Sequence, residues 1–176
     1  MAKYIVYSPG RTGTTLICEN IRKHFDNRKI AYVVHNPQFM HSDSFIPLTD
    51  DMVCIRSRRH NVFNYIIRAV ISEKISEAKD YTNNHIEPFY VDPKQVINLY
   101  FNYRNFYDKI DTSQYSKVVD LFYEDLFKNP CYMFKQMGIE DAFIDYSLCD
   151  KAPHDYKNII KNFNQLNELV LSLADK

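Results

Sequence analysis

A chain of 176 residues with 45% hydrophobic residues is long enough for one domain with a real core and too short for two comfortable ones. We therefore expect residues 1–176 to form a single domain. Lysine and arginine together number 22, as do aspartate and glutamate, and this balance argues against a protein that binds nucleic acid or anionic membranes through bulk charge. Any anion-binding site must come from local clustering of positive charge.

Four cysteines are widely scattered, at Cys18, Cys54, Cys131 and Cys149, and they form neither a CxxC pair nor a Cys/His spacing typical of zinc sites. This scattered spacing indicates that the cysteines are free thiols in a reducing compartment. The opening MAKYIVYS lacks the basic-then-apolar profile of a secretory signal, and no apolar run approaches the ~20 residues of a membrane span. The sequence thus predicts a cytoplasmic protein with no membrane or nucleic-acid partner and no bound metal.

Four short runs rich in β-branched and aromatic residues predict strands, at residues 3–8, 30–34, 52–55 and 117–122. Apolar residues at helical spacing predict helices over residues 14–25, 59–78, 93–110 and 156–173. For the third helix, Asp92 is the expected N-cap and Pro93 the first helical residue. This alternation indicates the α/β fold class, a three-layer parallel sheet with helices on both faces. Ligands of such sheets bind beyond the carboxyl ends of the strands.

The stretch SPGRTGTT, residues 8–15, holds two of the three glycines of the chain between the first strand and the first helix. Glycine permits backbone angles and close approaches that a Cβ would block, and the first amides and the dipole of a helix favour an anion. Threonine hydroxyls add donors, and the arginine adds a planar cation suited to phosphate or sulfate. The stretch predicts an oxyanion-binding loop, although a tight turn without a ligand is the alternative. Its residues are Gly10, Arg11, Thr12, Gly13, Thr14 and Thr15.

The ATP-binding pattern GxxxxGK[ST] does not fit this loop, because Thr14 follows Gly13 where that pattern has lysine. The cation comes two residues before the glycine instead, as Arg11. An NTPase is therefore disfavoured.

Two further segments also follow predicted strands. In CIRSRRHNVFN, residues 54–64, three arginines lie within four residues, which predicts either a local anion site or a solvated helix start. In LFYEDLFKNP, residues 121–130, Glu124 and Asp125 are expected mainly to cap a helix N-terminus.

These three segments, in this order, resemble the sulfotransferases that use 3′-phosphoadenosine-5′-phosphosulfate (PAPS). Arg11 with the following Thr-Gly-Thr-Thr resembles that family's 5′-phosphosulfate loop. Arg56 stands where the family has an arginine that grips the 3′-phosphate, and Asn64 stands where it has a serine, which is a departure. Tyr123 stands where the family has a tyrosine against adenine. The family's C-terminal glycine-containing loop is missing, and Lys151 or Lys157 are the possible substitutes.

The resemblance implies a P-loop NTPase-like topology and a sulfotransferase with PAPS as cofactor. In that reaction an acceptor hydroxyl or amine attacks sulfur in line, adenosine 3′,5′-bisphosphate leaves, and no metal takes part. Arg11, helped by Thr14 and Thr15, would stabilise charge on the leaving oxygen. His35 ends the second strand, where the family places its catalytic base, and His41 is the second candidate. Carboxylates serve as the base in the glycan-modifying branch, and a lone histidine is often structural.

Two other functions stay open on the sequence: a P-loop-like nucleotide or nucleoside kinase, and a non-catalytic nucleotide-binding relative. The acceptor would be a small molecule, a glycan or a peptide, because residues 36–51 and 79–92 mix aromatic, histidine and acidic residues in a way that suits each of them. The sequence carries no signal for the oligomeric state.

Overall fold

The computed structural model describes residues 3–36, 49, 51–77, 87–148 and 156–175. Within these ranges, four strands form a sheet in the order β2-β1-β3-β4, with all pairs parallel. The strands are β1 (Tyr4–Tyr7), β2 (Ala31–Val34), β3 (Val53–Arg58) and β4 (Lys117–Phe122). Helices flank this sheet, so the predicted α/β class with a parallel sheet is confirmed.

Seven α-helices lie in the described ranges: α1 (Thr14–His24), α2 (Val62–Glu77), α3 (Pro93–Asp108), α4 (Tyr123–Lys128), α5 (Tyr132–Met137), α6 (Tyr156–Ile159) and α7 (Phe163–Ala174). The predicted start of α3 is confirmed, because the Asp92 carboxylate accepts a 2.9 Å hydrogen bond from the amide of Lys94. None of the helices described is both long enough and apolar enough to cross a membrane.

The chain divides into two compact units, each made of separate segments. Unit 1 comprises Met1–His60 and Asn105–Asp150, and it contains the sheet with α1, α4 and α5. Unit 2 comprises Asn61–Arg104 and Lys151–Lys176, and it is helical apart from one isolated bridge. Neither unit is a continuous stretch of sequence, and a single domain over residues 1–176 stays a prediction.

The core of unit 1 lies between one face of the sheet and α1, α4 and α5. Alternate residues of three strands belong to it, namely Tyr4, Val6, Val53, Ile55, Val119 and Leu121. The helices contribute Leu16, Ile17, Ile21, Leu126, Met133 and Phe134. Full burial of one such side chain stabilises the folded state by about 1.5–3 kcal/mol. Burial of this apolar layer therefore contributes strongly to holding the short strands in their register.

Strand β3 is longer than the sequence predicted, and α2 begins later. β3 continues to Arg58 rather than ending at residue 55, and α2 begins at Val62 rather than at residue 59. The arginines extend the strand because Asp120, on the neighbouring β4, accepts hydrogen bonds from both Arg56 and Arg58. An opposite charge on the adjacent strand stabilises residues that would otherwise favour solvent.

The predicted closing helix over residues 156–173 is interrupted in unit 2. Ile160 forms a parallel bridge with Phe89, and the chain resumes helix only at Phe163. The side chain of Asn162 accepts a 3.1 Å hydrogen bond from the amide of Val91 and donates a 2.9 Å bond to its carbonyl. The backbone here pairs with another segment, so the helical hydrogen bonds are broken.

Candidate functional site

The carboxyl ends of the strands gather most of the predicted site residues at one edge of the sheet in unit 1. β1 and β2 end level, at Tyr7 and Val34, and β3 and β4 end level, at Arg58 and Phe122. Parallel strands place their following residues at a common edge, where ligands of open α/β sheets bind. The residues that follow are the glycine loop, His35, Arg59 and Tyr123.

The glycine loop has three left-handed residues within four positions. The φ angles are 90° at Gly10, 52° at Arg11 and 85° at Gly13. The Ser8 hydroxyl closes the loop from within, because it accepts a 2.9 Å hydrogen bond from the amide of Gly10 and lies 2.7 Å from the Thr12 hydroxyl. The side chain of Thr12 is fully buried by this contact, so what Thr12 can offer a ligand is its amide.

Gly13 is needed for two reasons. Its φ of 85° is strained for any residue with a Cβ, and a Cβ built there would lie 2.5 Å from Cδ2 of Tyr123. By contrast, a Cβ at Gly10, where φ is 90°, would meet no atom within 4 Å. The loop is therefore packed on its Gly13 side and open on its Gly10 side.

Helix α1 begins directly after the loop, with Gly13 in the N-cap position and no side-chain capping bond. The first amides of a helix have no acceptor within the helix, and the helix dipole adds positive potential there. Thr14 is half-buried, and Thr15 and Arg11 are exposed beside this terminus. The structure thus brings together the loop residues that the sequence predicted, with the Thr12 hydroxyl as the exception.

Two loop carbonyls accept hydrogen bonds from side chains at the end of β3, namely from Ser57 within the strand and from Arg59 directly after it. The carbonyl of Arg11 accepts hydrogen bonds from Nε and Nη2 of Arg59, at 3.1 and 2.9 Å. The carbonyl of Thr12 accepts a 2.6 Å bond from the hydroxyl of Ser57. Ser57 is fully buried and the Arg59 side chain is only 4% exposed, so both bonds are sheltered from water.

His35 lies beside the loop, at the end of β2. Its Nδ1 is 2.9 Å from the carbonyl of Ser8, and a carbonyl can only accept, so Nδ1 carries the proton. The neutral ring then has its lone pair on Nε2. The ring is exposed, as a base acting on an acceptor would need to be. His41, the other candidate base, lies outside the described residues.

Arg56 is engaged by a carboxylate. Its Nε and Nη2 donate to the two oxygens of Asp120 at 2.8 and 2.6 Å, and Nε of Arg58 donates to the same carboxylate at 2.8 Å. The guanidinium of Arg58 also lies 4.2 Å from the ring centre of Tyr107. Side chains alternate along a strand, so Arg56 projects from the face opposite to Ser57. Two guanidinium groups share one carboxylate, which leaves this cluster with a net positive charge.

Asn64 lies in α2 and belongs to unit 2, where its backbone N–H donates a 3.0 Å hydrogen bond to the side-chain oxygen of Asn61. Lys157 is exposed in α6 of the same unit, and Lys151 lies outside the described residues. A role for these residues at the 3′-phosphate stays a prediction.

Tyr123 packs against both the loop and Arg59. The guanidinium carbon of Arg59 lies 3.6 Å from the ring centre, and Phe127 meets the ring edge to face at 4.9 Å. A cation that close covers one face of the ring. A contact of Tyr123 with adenine stays a prediction, and it would have to use another part of the ring.

The acidic pair after Tyr123 lies in the first turn of α4, where the sequence predicted helix N-terminal acidic residues, but it does not occupy the N-cap position. The N-cap is Phe122, and it makes no side-chain capping bond. Glu124 instead accepts a 3.0 Å bond from the amide of His60, and Asp125 lies 2.7 Å from Nε2 of the His60 ring. Hydrogen bonds from Lys128 and then His60 lower the pKa of Asp125. The pair anchors the residues that follow β3.

Sequence reasoning missed three supporting residues, namely Ser57, Arg59 and Asp120. Asp120 had a signal, because it interrupts the apolar run KVVDLF. Arg59 has a signal only as one charge of the arginine cluster, which does not indicate a bond to the glycine loop. Ser57 had no local signal, because its partner is 45 residues away.

In the segments that the structure describes, no three His, Cys, Asp or Glu side chains lie close enough to hold a metal ion. Comparison of the chain with models of known protein families, with curated protein sequences and with solved structures gives no match.

Proposed function

We propose that this protein is a PAPS-dependent sulfotransferase that moves a sulfuryl group to a hydroxyl or amine acceptor. The observation that carries the proposal is the loop itself: three left-handed residues, an exposed arginine and an uncapped helix N-terminus lie together after β1. Backbone amides and a guanidinium in this arrangement suit a phosphate or sulfate group.

The residues of the glycine loop fit the 5′-phosphosulfate end of the cofactor. A Cβ at Gly10 would point into open space, and Arg11 in the loop and Thr15 in the first turn of α1 are exposed. When bound, PAPS supplies the sulfuryl group and a phosphate leaving group. Arg11 and the hydroxyls of Thr14 and Thr15 stabilise the charge that builds on the leaving oxygen. His35 takes the proton of the acceptor at Nε2, since Nδ1 is bonded to Ser8.

The residues near Arg56 fit the 3′-phosphate end of the cofactor less well. Asp120 holds Arg56 through two hydrogen bonds, so a 3′-phosphate must compete with a carboxylate for this guanidinium. A phosphate dianion carries more charge than a carboxylate and can replace it, while Arg58 keeps its own bond to Asp120. This pair is also the observation that favours a second candidate, a non-catalytic relative that binds only the 5′-phosphate of a nucleotide.

The first experiment measures binding and transfer together. Calorimetry compares adenosine 3′,5′-bisphosphate, adenosine 5′-monophosphate, ATP with magnesium, and adenosine. A transfer assay uses PAPS labelled in the sulfuryl group with phenol, sugar and tyrosine-peptide acceptors. The proposal expects the bisphosphate to bind most tightly and label to reach one acceptor class. Equal binding of bisphosphate and monophosphate without transfer would favour the second candidate, and preference for ATP would favour a kinase.

Arg11→Ala provides the residue-level test. We expect kcat to fall by about 10²–10³-fold, because a donor to the leaving oxygen is removed. The side chain is exposed, so the unfolding midpoint should change little. Arg28→Ala is the control, since Arg28 is also exposed and lies away from the loop, after α1. Equal transfer by the two variants would contradict the assignment of Arg11.

A further inference from the structure

We propose that Arg59 and Ser57 are positioning residues that set the direction of the oxyanion-binding amides, an inference that rests on the proposed function. Neither side chain belongs to the glycine loop. Each donates to a carbonyl of that loop, Arg59 to Arg11 and Ser57 to Thr12. The two anchored carbonyls are consecutive.

The step from carbonyls to amides follows from the planar trans peptide. In each peptide unit the C=O and the next N–H point in opposite directions. Holding the Arg11 carbonyl toward Arg59 therefore turns the amide of Thr12 away from Arg59. Holding the Thr12 carbonyl toward Ser57 likewise turns the amide of Gly13 away from Ser57. Two successive N–H groups are thus turned away from the two anchoring side chains, which is how a backbone nest presents donors to an anion.

The position of Arg59 is itself fixed on three sides. Its Nε and Nη2 both donate to one carbonyl, its guanidinium lies 3.6 Å from the ring centre of Tyr123, and its Nη1 is 3.6 Å from Glu124. A buried guanidinium with these partners has little freedom to move. Lysine at this position would keep the charge but lose the two-pronged bond and the stacked plane.

The chain offers, for each side chain, a control that makes the same kind of hydrogen bond at a more exposed position. Arg22, in the last turn of α1, also donates Nε and Nη2 to one carbonyl, that of Ala31, and Nη1 to a carboxylate, that of Glu19. Ser116 donates its hydroxyl to the carbonyl of Met52 at 2.8 Å, as Ser57 does to Thr12. Neither control bonds to the glycine loop, so each separates the loss of a carbonyl anchor from the loss of this particular loop geometry.

The experiment compares Arg59→Lys with Arg22→Lys, and Ser57→Ala with Ser116→Ala. The probe is adenosine 3′,5′-bisphosphate, measured by calorimetry beside the thermal unfolding midpoint. We expect about tenfold weaker binding for Arg59→Lys and Ser57→Ala, since each frees a carbonyl that orients a donor. Arg22→Lys and Ser116→Ala should stay within about twofold of the unchanged protein, whatever their midpoints. Where the unchanged protein binds the bisphosphate, equal affinities within both pairs of variants would overturn the inference.

A second readout needs no ligand, and it separates this inference from the proposed function. Amide hydrogen exchange at residues 10–15 of the free protein should be faster in Arg59→Lys than in Arg22→Lys, because the loop has lost an anchor. Binding of no bisphosphate by the unchanged protein would sink the proposed function alone, and faster exchange would still support the positioning role. The same exchange in both variants would overturn that role. Ser57→Ala against Ser116→Ala repeats the comparison should Arg59→Lys fail to fold.

Discussion

At the scale of single residues, the chemistry of the site depends on which side-chain atoms already make hydrogen bonds within the protein. Nδ1 of His35 donates a hydrogen bond to the backbone carbonyl of Ser8, and Arg56 donates two hydrogen bonds to the carboxylate of Asp120. The resemblance of the sequence to PAPS-dependent sulfotransferases predicted the first residue as a base and the second as a phosphate ligand. It could not predict Asp120 as the partner of Arg56, because the two are separated by 64 residues and meet only through strand pairing.

His35→Ala should lower kcat by about 10²–10⁴-fold if Nε2 accepts the proton of the acceptor. The affinity for adenosine 3′,5′-bisphosphate should stay nearly unchanged, because the ring bonds to the Ser8 carbonyl rather than to a loop amide. Single-turnover transfer and calorimetry on the same preparation measure both effects. Full turnover by this variant would remove His35 from the mechanism.

Asp120→Asn should raise the preference for a 3′-phosphate. The substitution removes the negative charge that competes for Arg56, so the bisphosphate should gain about tenfold in affinity over adenosine 5′-monophosphate. Asp145→Asn is the control, because it removes a carboxylate paired with Lys23. An unchanged ratio of the two affinities in Asp120→Asn would mean that Arg56 does not meet the 3′-phosphate.

At the scale of elements, local patterns predicted the strands, the start of α3 and the loop between β1 and α1. They failed where a segment depends on a distant partner. β3 extends to Arg58 because of Asp120, and the closing helix breaks where Asn162 bonds to Val91. The loop was predictable because its chemistry lies within eight consecutive residues. Its anchors were not, because Ser57 and Arg59 come from the end of β3 and the residue after it, 45 and 48 residues away from their partners.

The two loop glycines offer a comparison of backbone strain with packing. Gly10→Ala should cost about 1–2 kcal/mol of unfolding free energy, because it places a Cβ in the left-handed region but in open space. Gly13→Ala should cost about 1–3 kcal/mol more, because its Cβ also meets the ring of Tyr123. Urea unfolding of both variants measures the difference. Equal losses would show that the ring moves aside at no cost.

At the scale of the whole molecule, unit 1 buries ionisable groups that stay neutral. Cys18 and Cys54 are buried free thiols, and burial raises the pKa of each from 9.0 to about 12. Burial likewise raises the pKa of Tyr115, which shares a 2.6 Å hydrogen bond with Tyr7. Burial keeps these groups neutral in the folded state. They do not lower the free energy of unfolding until the pH reaches the pKa that they have in the unfolded chain.

Stability should therefore fall as pH rises above about 9. There the unfolded thiols ionise while the folded ones keep their protons, so the unfolded state binds fewer protons and the free energy of unfolding decreases with pH. The limiting slope is about 1.4 kcal/mol per pH unit for each thiol. Urea unfolding between pH 8 and 10 measures it. The double variant Cys18→Ala, Cys54→Ala should show a shallower slope, and an unchanged slope would contradict these shifts.

The aromatic neighbours of the loop have a practical consequence. The chain has no tryptophan, and Phe127 is partly exposed where its ring stacks on Tyr146 and meets the edge of Tyr123. The substitution Phe127→Trp would introduce the sole tryptophan of the molecule. Its ring would contact Tyr123, which in turn packs against Gly13. Its emission would monitor, in real time and without a label, whether the glycine turn is occupied.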